Sequence, residues 1–120
     1  WFEGLQAADA ERGMTFATFL PTLFMVAHVD YVRTVRVLPL GPEQTELTVD
    51  WYLHRDVLGH PALDVKRLTA FASQVVSEDA RVCELNQRGI RCSRHQRGVL
   101  LEVENSVYDF EQWVRRRLGR

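Results

Sequence analysis

Asp79 occupies a position where a charge is costly. From Asp64 onward, Val65, Leu68, Ala72, Val75/Val76, Asp79, Cys83 and Asn86 recur at three- and four-residue steps, which brings them onto one side of a helix where the neighbours of Asp79 are apolar or small. A carboxylate in such a stripe is expected to face the core. An unpaired buried charge tends to neutralise, so an inward Asp needs a cation, a donor network or a metal beside it. Glu78, one residue away, points about a quarter-turn off and is expected to be solvated.

Other chemistry-bearing residues give weaker patterns. Cys83 and Cys92 lie nine positions apart, which matches neither a short metal-ligand pair nor a disulfide framework. Cys83 reads as a small apolar core residue. The two thiols suit a reducing, cytoplasmic setting. His54 and His60 are six apart in a loop-like stretch, a poor spacing for metal ligation. Arg115, Arg116 and Arg117 form the one local basic excess, and in the last turns of a helix they complement its dipole.

The totals exclude several classes. The 120 residues suffice for one domain, with 46% apolar residues, three Trp, six Phe and three Tyr to fill a core. A formal net charge of -1, from 15 basic and 16 acidic residues, argues against nucleic acid or an anionic membrane as a bulk electrostatic partner. Phe16 to Val29 is the longest apolar stretch, but Pro21, Thr and His interrupt it, so it is too short to span a bilayer. No basic region followed by an apolar one opens the chain. Trp1-Phe2-Glu3-Gly4, without an initiator Met, reads as the middle of a longer polypeptide.

The elements that must hold Asp79 follow from periodicity. Residues 1 to about 14 read as loop or a short helix around Leu5 to Arg12, punctuated by Gly4 and Gly13. Phe16 to Val29 and Tyr31 to Leu38 read as two strands separated by a His28-Val29-Asp30 bend. Pro39 to Gln44 reads as a turn. Leu47, Val49, Trp51 and Leu53 then alternate with Glu46, Thr48, Asp50, Tyr52 and His54, as in a strand with one wet face. Asp64 can cap the long helix and Gly89 can close it. A short strand is expected at about Val99 to Val103. Ser106 and Asp109 then resemble a capping box for a last helix, with Val107, Phe110, Trp113/Val114 and Leu118 on one side and Gly119 at its end. Strands followed by helices imply an α+β fold.

The stretch Ser77-Glu78-Asp79-Ala80-Arg81-Val82-Cys83-Glu84-Leu85-Asn86-Gln87-Arg88-Gly89-Ile90 resembles a segment at the end of the catalytic domain of Rieske-type non-haem iron oxygenase α-subunits: Glu-Asp, three residues, Cys-Glu, two residues, Gln, one residue, Gly. Phe19 to Phe24, Val37 to Pro42, Thr48 to Leu53 and Gly98 to Trp113, with Glu104, Phe110 and Trp113, resemble that domain in the same order. The resemblance covers roughly residues 15 to 118. Trp51-Tyr52-Leu53-His54 and Asn86 to Ile90 look closest to the branch acting on quaternary ammonium compounds, while a branch acting on aromatic acids could carry similar strings.

The resemblance implies a helix-grip-like antiparallel sheet packed against the long helix and the C-terminal helix, with residues 1–120 forming the C-terminal portion of the catalytic domain. It implies a mononuclear Fe(II) held by two His and one carboxylate, a set that leaves adjacent positions free for O₂. Asp79 matches the carboxylate ligand. Glu84 and Gln87 are candidates to orient the ligands. Phe24, His28, Trp51 and Phe71 are candidate pocket residues, and an aromatic face suits a trimethylammonium head; ordinary core packing would use the same aromatics.

The departures from the family are also informative. None of His28, His54, His60 or His95 matches the family's two His ligands. The cysteine and histidine pairs that hold a 2Fe–2S Rieske cluster have no counterpart in the chain. The expected activity, O₂-dependent hydroxylation of a small organic substrate with electrons from NAD(P)H through a reductase or ferredoxin, therefore belongs to a full-length α-subunit, a trimer or larger. The chain alone is expected to be inactive and to bind iron weakly or not at all. Two other readings compete: a metal-free helix-grip domain that binds a small apolar ligand, with Asp79 paired to an Arg, and a truncated product with a structural role.

Overall fold

Thr, Val, Phe and Tyr dominate residues 15–53, and their branched and aromatic side chains favour pleated backbone over helix. The computed structural model describes residues 2–120 and divides after Pro61 into two compact units. The first begins with a short helix, α1 (Ala7–Glu11). Its first turn is fixed by Gln6, whose backbone N–H donates to the Asp9 carboxylate at 2.9 Å. Gly4 and Gly13 bracket this helix with φ of 86° and 84°, a left-handed conformation that a side chain would strain.

Four strands follow: β1 (Thr15–Phe19), β2 (Leu23–Ala27), β3 (Tyr31–Gly41) and β4 (Gln44–Leu53). They form an antiparallel meander in sequence order. The apolar run read as one strand from Phe16 to Val29 is a hairpin. Pro21 has no N–H to give a ladder, so Leu20 to Thr22 turn the chain, and Phe16 comes opposite Val26. The turn expected over Pro39–Gln44 narrows to Pro42 and Glu43. Strand pairing captures residues 39–41, with a register irregularity between Pro39 and Gly41. Beyond β4, Arg55–Val57 make one 3-10 turn, where the Asp56 N–H donates to His54 Nδ1 at 3.4 Å.

The second unit contains α2 (Val65–Ile90). Asp64 caps it as expected, accepting from the Arg67 N–H at 3.0 Å. Gly89 does not end it. The helix continues to Ile90 and Arg91 caps it in right-handed geometry, because Gly permits the left-handed position without requiring it. The strand expected at Val99–Val103 is absent. A lone extended segment has no ladder to satisfy its backbone, and the Leu101 N–H goes instead to the Glu104 carboxylate at 2.6 Å, starting a 3-10 turn at Glu102–Glu104. α3 (Asn105–Arg117) then starts one residue before Ser106, with Glu104 at the cap position and no side-chain capping bond. Gly119 closes it at φ 67°, and Arg117 lies 5.2 Å over the Trp113 ring.

The core is thin for so apolar a chain. Among the described residues, the buried hydrophobic ones are Val26 in the first unit (6% exposed) and Ala72 in the second (5%), while Phe16, Phe71, Val99 and Val103 are largely exposed. Among the described residues, no helix is long and apolar enough to cross a membrane.

Candidate metal and substrate site

Because side chains alternate along a strand, register assigns each one to a face. Val26, Arg33 and Trp51 are cross-strand neighbours, as are Phe24, Val35 and Val49. Phe16, Thr18, Tyr31, Val37, Leu47 and Leu53 share that phase. His28 lies two residues beyond Val26 on the same side, its N–H bonded to the Tyr31 carbonyl at 2.9 Å. Its ring stacks on Tyr31 with centroids 4.4 Å apart and planes at 29°. Three of the residues expected to line a pocket, Phe24, His28 and Trp51, thus share one sheet face. His28 and Trp51 are half-buried and Phe24 is exposed.

Arg33 is the residue that the sequence reading missed. It sits in the apolar phase of β3, between Val26 and Trp51, and the Asp and Glu residues of the strands, Glu46 and Asp50, fall in the other phase. The guanidinium Nε is buried and has no hydrogen-bond partner. The available signal was Tyr31-x-Arg33-x-Val35-x-Val37 read at period two. It was masked because Val32 and Leu38 make the opposite phase apolar as well.

In the second unit, Asp79 is exposed. The inward placement expected from the stripe does not hold within this chain, because the stripe is only partly covered: Ala72 is buried and Leu68 and Val76 are half-buried, whereas Val65, Val75, Asp79 and Cys83 are exposed. The burial argument for a cation beside Asp79 therefore lapses. What the geometry supplies instead is an accessible carboxylate with apolar residues at three- and four-residue steps (Val75, Val76, Val82) and no hydrogen-bond or ion-pair partner among the described residues. Such a group is free to ligate.

α2 does not gather the other expected residues around Asp79. At about 100° per residue, Glu84 lies about 140° round the helix, while Phe71 and Gln87 lie about 80° off and two turns away on either side. Phe71 is 76% exposed and Gln87 is half-buried. Among the described residues, no three His, Cys, Asp or Glu side chains are grouped to hold a metal. Cys83 and Cys92 are free and exposed rather than buried. An open depression of about 300 Å³ near the start of α3, lined by Leu100, Leu101, Glu102, Glu104, Asn105 and Tyr108, contains none of the expected site residues.

The family model described as ring hydroxylating alpha subunit (catalytic domain) matches residues 3–120, and the chain belongs to that family of oxygenases. Similar proteins include the glycine betaine monooxygenase oxygenase subunit of Chromohalobacter salexigens, 35% identical over 85 residues, covering 70% of this chain and 19% of that subunit. The Pseudomonas aeruginosa subunit of the same name is 30% identical over 90 residues, covering 74% and 21%. The chloroplastic choline monooxygenase of Beta vulgaris is 27% identical over 100 residues, covering 82% and 22%. The chain thus spans about a fifth of the length of these relatives, all of which belong to a quaternary-ammonium branch. No solved structure gives a significant match.

Proposed function

We propose that this chain is the C-terminal part of the catalytic domain of an oxygenase α-subunit that hydroxylates a quaternary ammonium compound with O₂. The observation that carries the reading is the family match from residue 3 to residue 120; the Glu78-Asp79-x-x-x-Cys83-Glu84 segment lies within it, and its resemblance to the family's segment supports Asp79 as the carboxylate ligand. The names of the relatives favour an oxygenase over a metal-free binding domain. The fold proposed for the complete domain is helix-grip-like.

In this reading Asp79 supplies one oxygen ligand to a mononuclear iron, and two His come from polypeptide outside this sequence. When bound, the iron supplies O₂ binding and activation, fed with electrons from NAD(P)H through a reductase or ferredoxin and a 2Fe–2S cluster. This chain's own residues bind and orient. The exposed, unpartnered Asp79 carboxylate can take a cation without first breaking an ion pair. Trp51 and Phe24 offer aromatic faces that attract a trimethylammonium group by about 0.5–2 kcal/mol each, more as water is excluded. The stacked His28–Tyr31 pair stiffens one end of the same face. Glu84 and Gln87 are proposed to orient neighbouring groups rather than to ligate. We place the enzyme, as a homotrimer or larger assembly, in a reducing cytoplasmic compartment, in keeping with the free thiols of Cys83 and Cys92.

Hydroxylation at an N-methyl carbon gives a carbinol that loses formaldehyde, so the product is the demethylated amine. The test is turnover by the full-length α-subunit with its reductase, NAD(P)H and O₂, following formaldehyde and the demethylated product. Stoichiometric formaldehyde from a quaternary ammonium substrate is the expected result. Turnover of aromatic acids with no reaction on any quaternary ammonium compound would move the protein to another branch of the family.

A further inference from the structure

The inference concerns Arg33 and rests on the oxygenase reading above. A guanidinium carries five N–H donors in a planar fork and no acceptor, and it stays charged throughout the physiological range. Arg33 holds this group on a sheet face whose other strand residues are apolar, aromatic or Thr, with Val26 on one side and Trp51 on the other. Its Nε is already withdrawn from solvent and donates to nothing. The strand carboxylates, Glu46 and Asp50, lie in the opposite phase. A withdrawn N–H without an acceptor is costly, and Arg33 as a whole is half-buried, so the rest of its fork is open to a ligand; the one that matches the fork best is a planar anion able to take two parallel N–H bonds, namely a carboxylate.

We propose that Arg33 binds the carboxylate of the substrate, so that this oxygenase selects quaternary ammonium carboxylates of the glycine betaine type over quaternary ammonium alcohols of the choline type. The two ends of such a zwitterion need adjacent sites of opposite character. Arg33 supplies the cationic one. Trp51, directly across from it, supplies the aromatic one, at a cross-strand spacing of about 5 Å. The hydroxyl of choline brings no charge to meet the guanidinium, and its ammonium is repelled by Arg33 without compensation.

The experiment uses the full-length α-subunit with its reductase and three substrates: glycine betaine, its neutral carboxamide (which keeps the trimethylammonium and removes the negative charge), and choline. Wild-type enzyme is expected to prefer glycine betaine over the carboxamide by about tenfold or more in kcat/KM, as loss of a charge-assisted pair requires. Arg33→Met should raise KM for glycine betaine by about ten- to a hundredfold while leaving the carboxamide and choline no worse than with wild type, because repulsion of their ammonium is relieved, and Arg33→Lys should fall between. Equal wild-type efficiency on glycine betaine and its carboxamide overturns the assignment, whether or not the variants fold. So does an Arg33→Met enzyme impaired equally on all three substrates, which would mean that the guanidinium pairs with a carboxylate of the polypeptide. Wild-type enzyme that oxidises none of the three removes the quaternary-ammonium reading on which the role of Arg33 rests, whereas turnover without discrimination removes only the role of Arg33.

Discussion

The sheet unit and the helical unit divide the work of holding a site differently. In the first, β2 and β3 are hydrogen-bonded on both edges, so the position of each side chain depends on two neighbouring strands. Phe24, Arg33 and Trp51 come from three strands, and cross-strand register alone sets them side by side. In the second, α2 satisfies its backbone internally and needs no neighbour to exist. Its side chains bond locally: Thr69 Oγ1 to the Val65 carbonyl at 2.9 Å, Ser77 Oγ to the Ser73 carbonyl at 2.8 Å, and Gln74 Nε2 to Glu78 Oε1 at 2.9 Å. A sheet defines a surface on which several groups converge, whereas a helix delivers one group, Asp79, at a fixed point along a rod. A metal ligand needs only the second kind of support; recognition of a two-ended substrate needs the first.

This contrast can be broken by substitution. Val26→Ala removes the most buried side chain of the sheet unit and is expected to cost about 2 kcal/mol, read as a lower midpoint in urea denaturation. A shift of a few tenths of a kcal/mol would mean that the sheet does not depend on its central residue. Asp64→Ala removes the α2 cap and should cost about 1 kcal/mol, seen as reduced helical circular dichroism and lost amide protection confined to the first turn. Gln74→Ala deletes one exposed i,i+4 bond and should cost about 0.3 kcal/mol, near the limit of detection. Hydrogen exchange sharpens the comparison without mutation: amides of β2 and β3 should exchange more slowly than those of residues 91–101, which lie outside any ladder.

Periodicity read the helices and β4 well because their signals are local. Asp64 announced the start of α2 and the alternation from Leu47 to Leu53 announced β4. The β1–β2 hairpin was hidden because Phe16 to Val29 is apolar on both phases, leaving Pro21 as the one mark of the turn. The expected strand at Val99–Val103 failed for the opposite reason: its residues favour extended backbone, but no partner strand pairs with them. For the site, the motif around Asp79 was legible as a resemblance, whereas its burial was inferred from a stripe that this chain covers only in part, at Leu68, Ala72 and Val76. Arg33 could not be recognised before register was known, because its significance lies in what stands across from it.

Asp79 as an iron ligand is the claim on which the chemistry depends. Its most direct test is the metal content of the full-length α-subunit with Asp79→Ala, measured by mass spectrometry beside wild type, with the absorbance of the 2Fe–2S cluster as an internal control. The expected result is loss of the mononuclear iron and of product formation, with the cluster spectrum unchanged. Wild-type iron content together with retained hydroxylation would contradict the account.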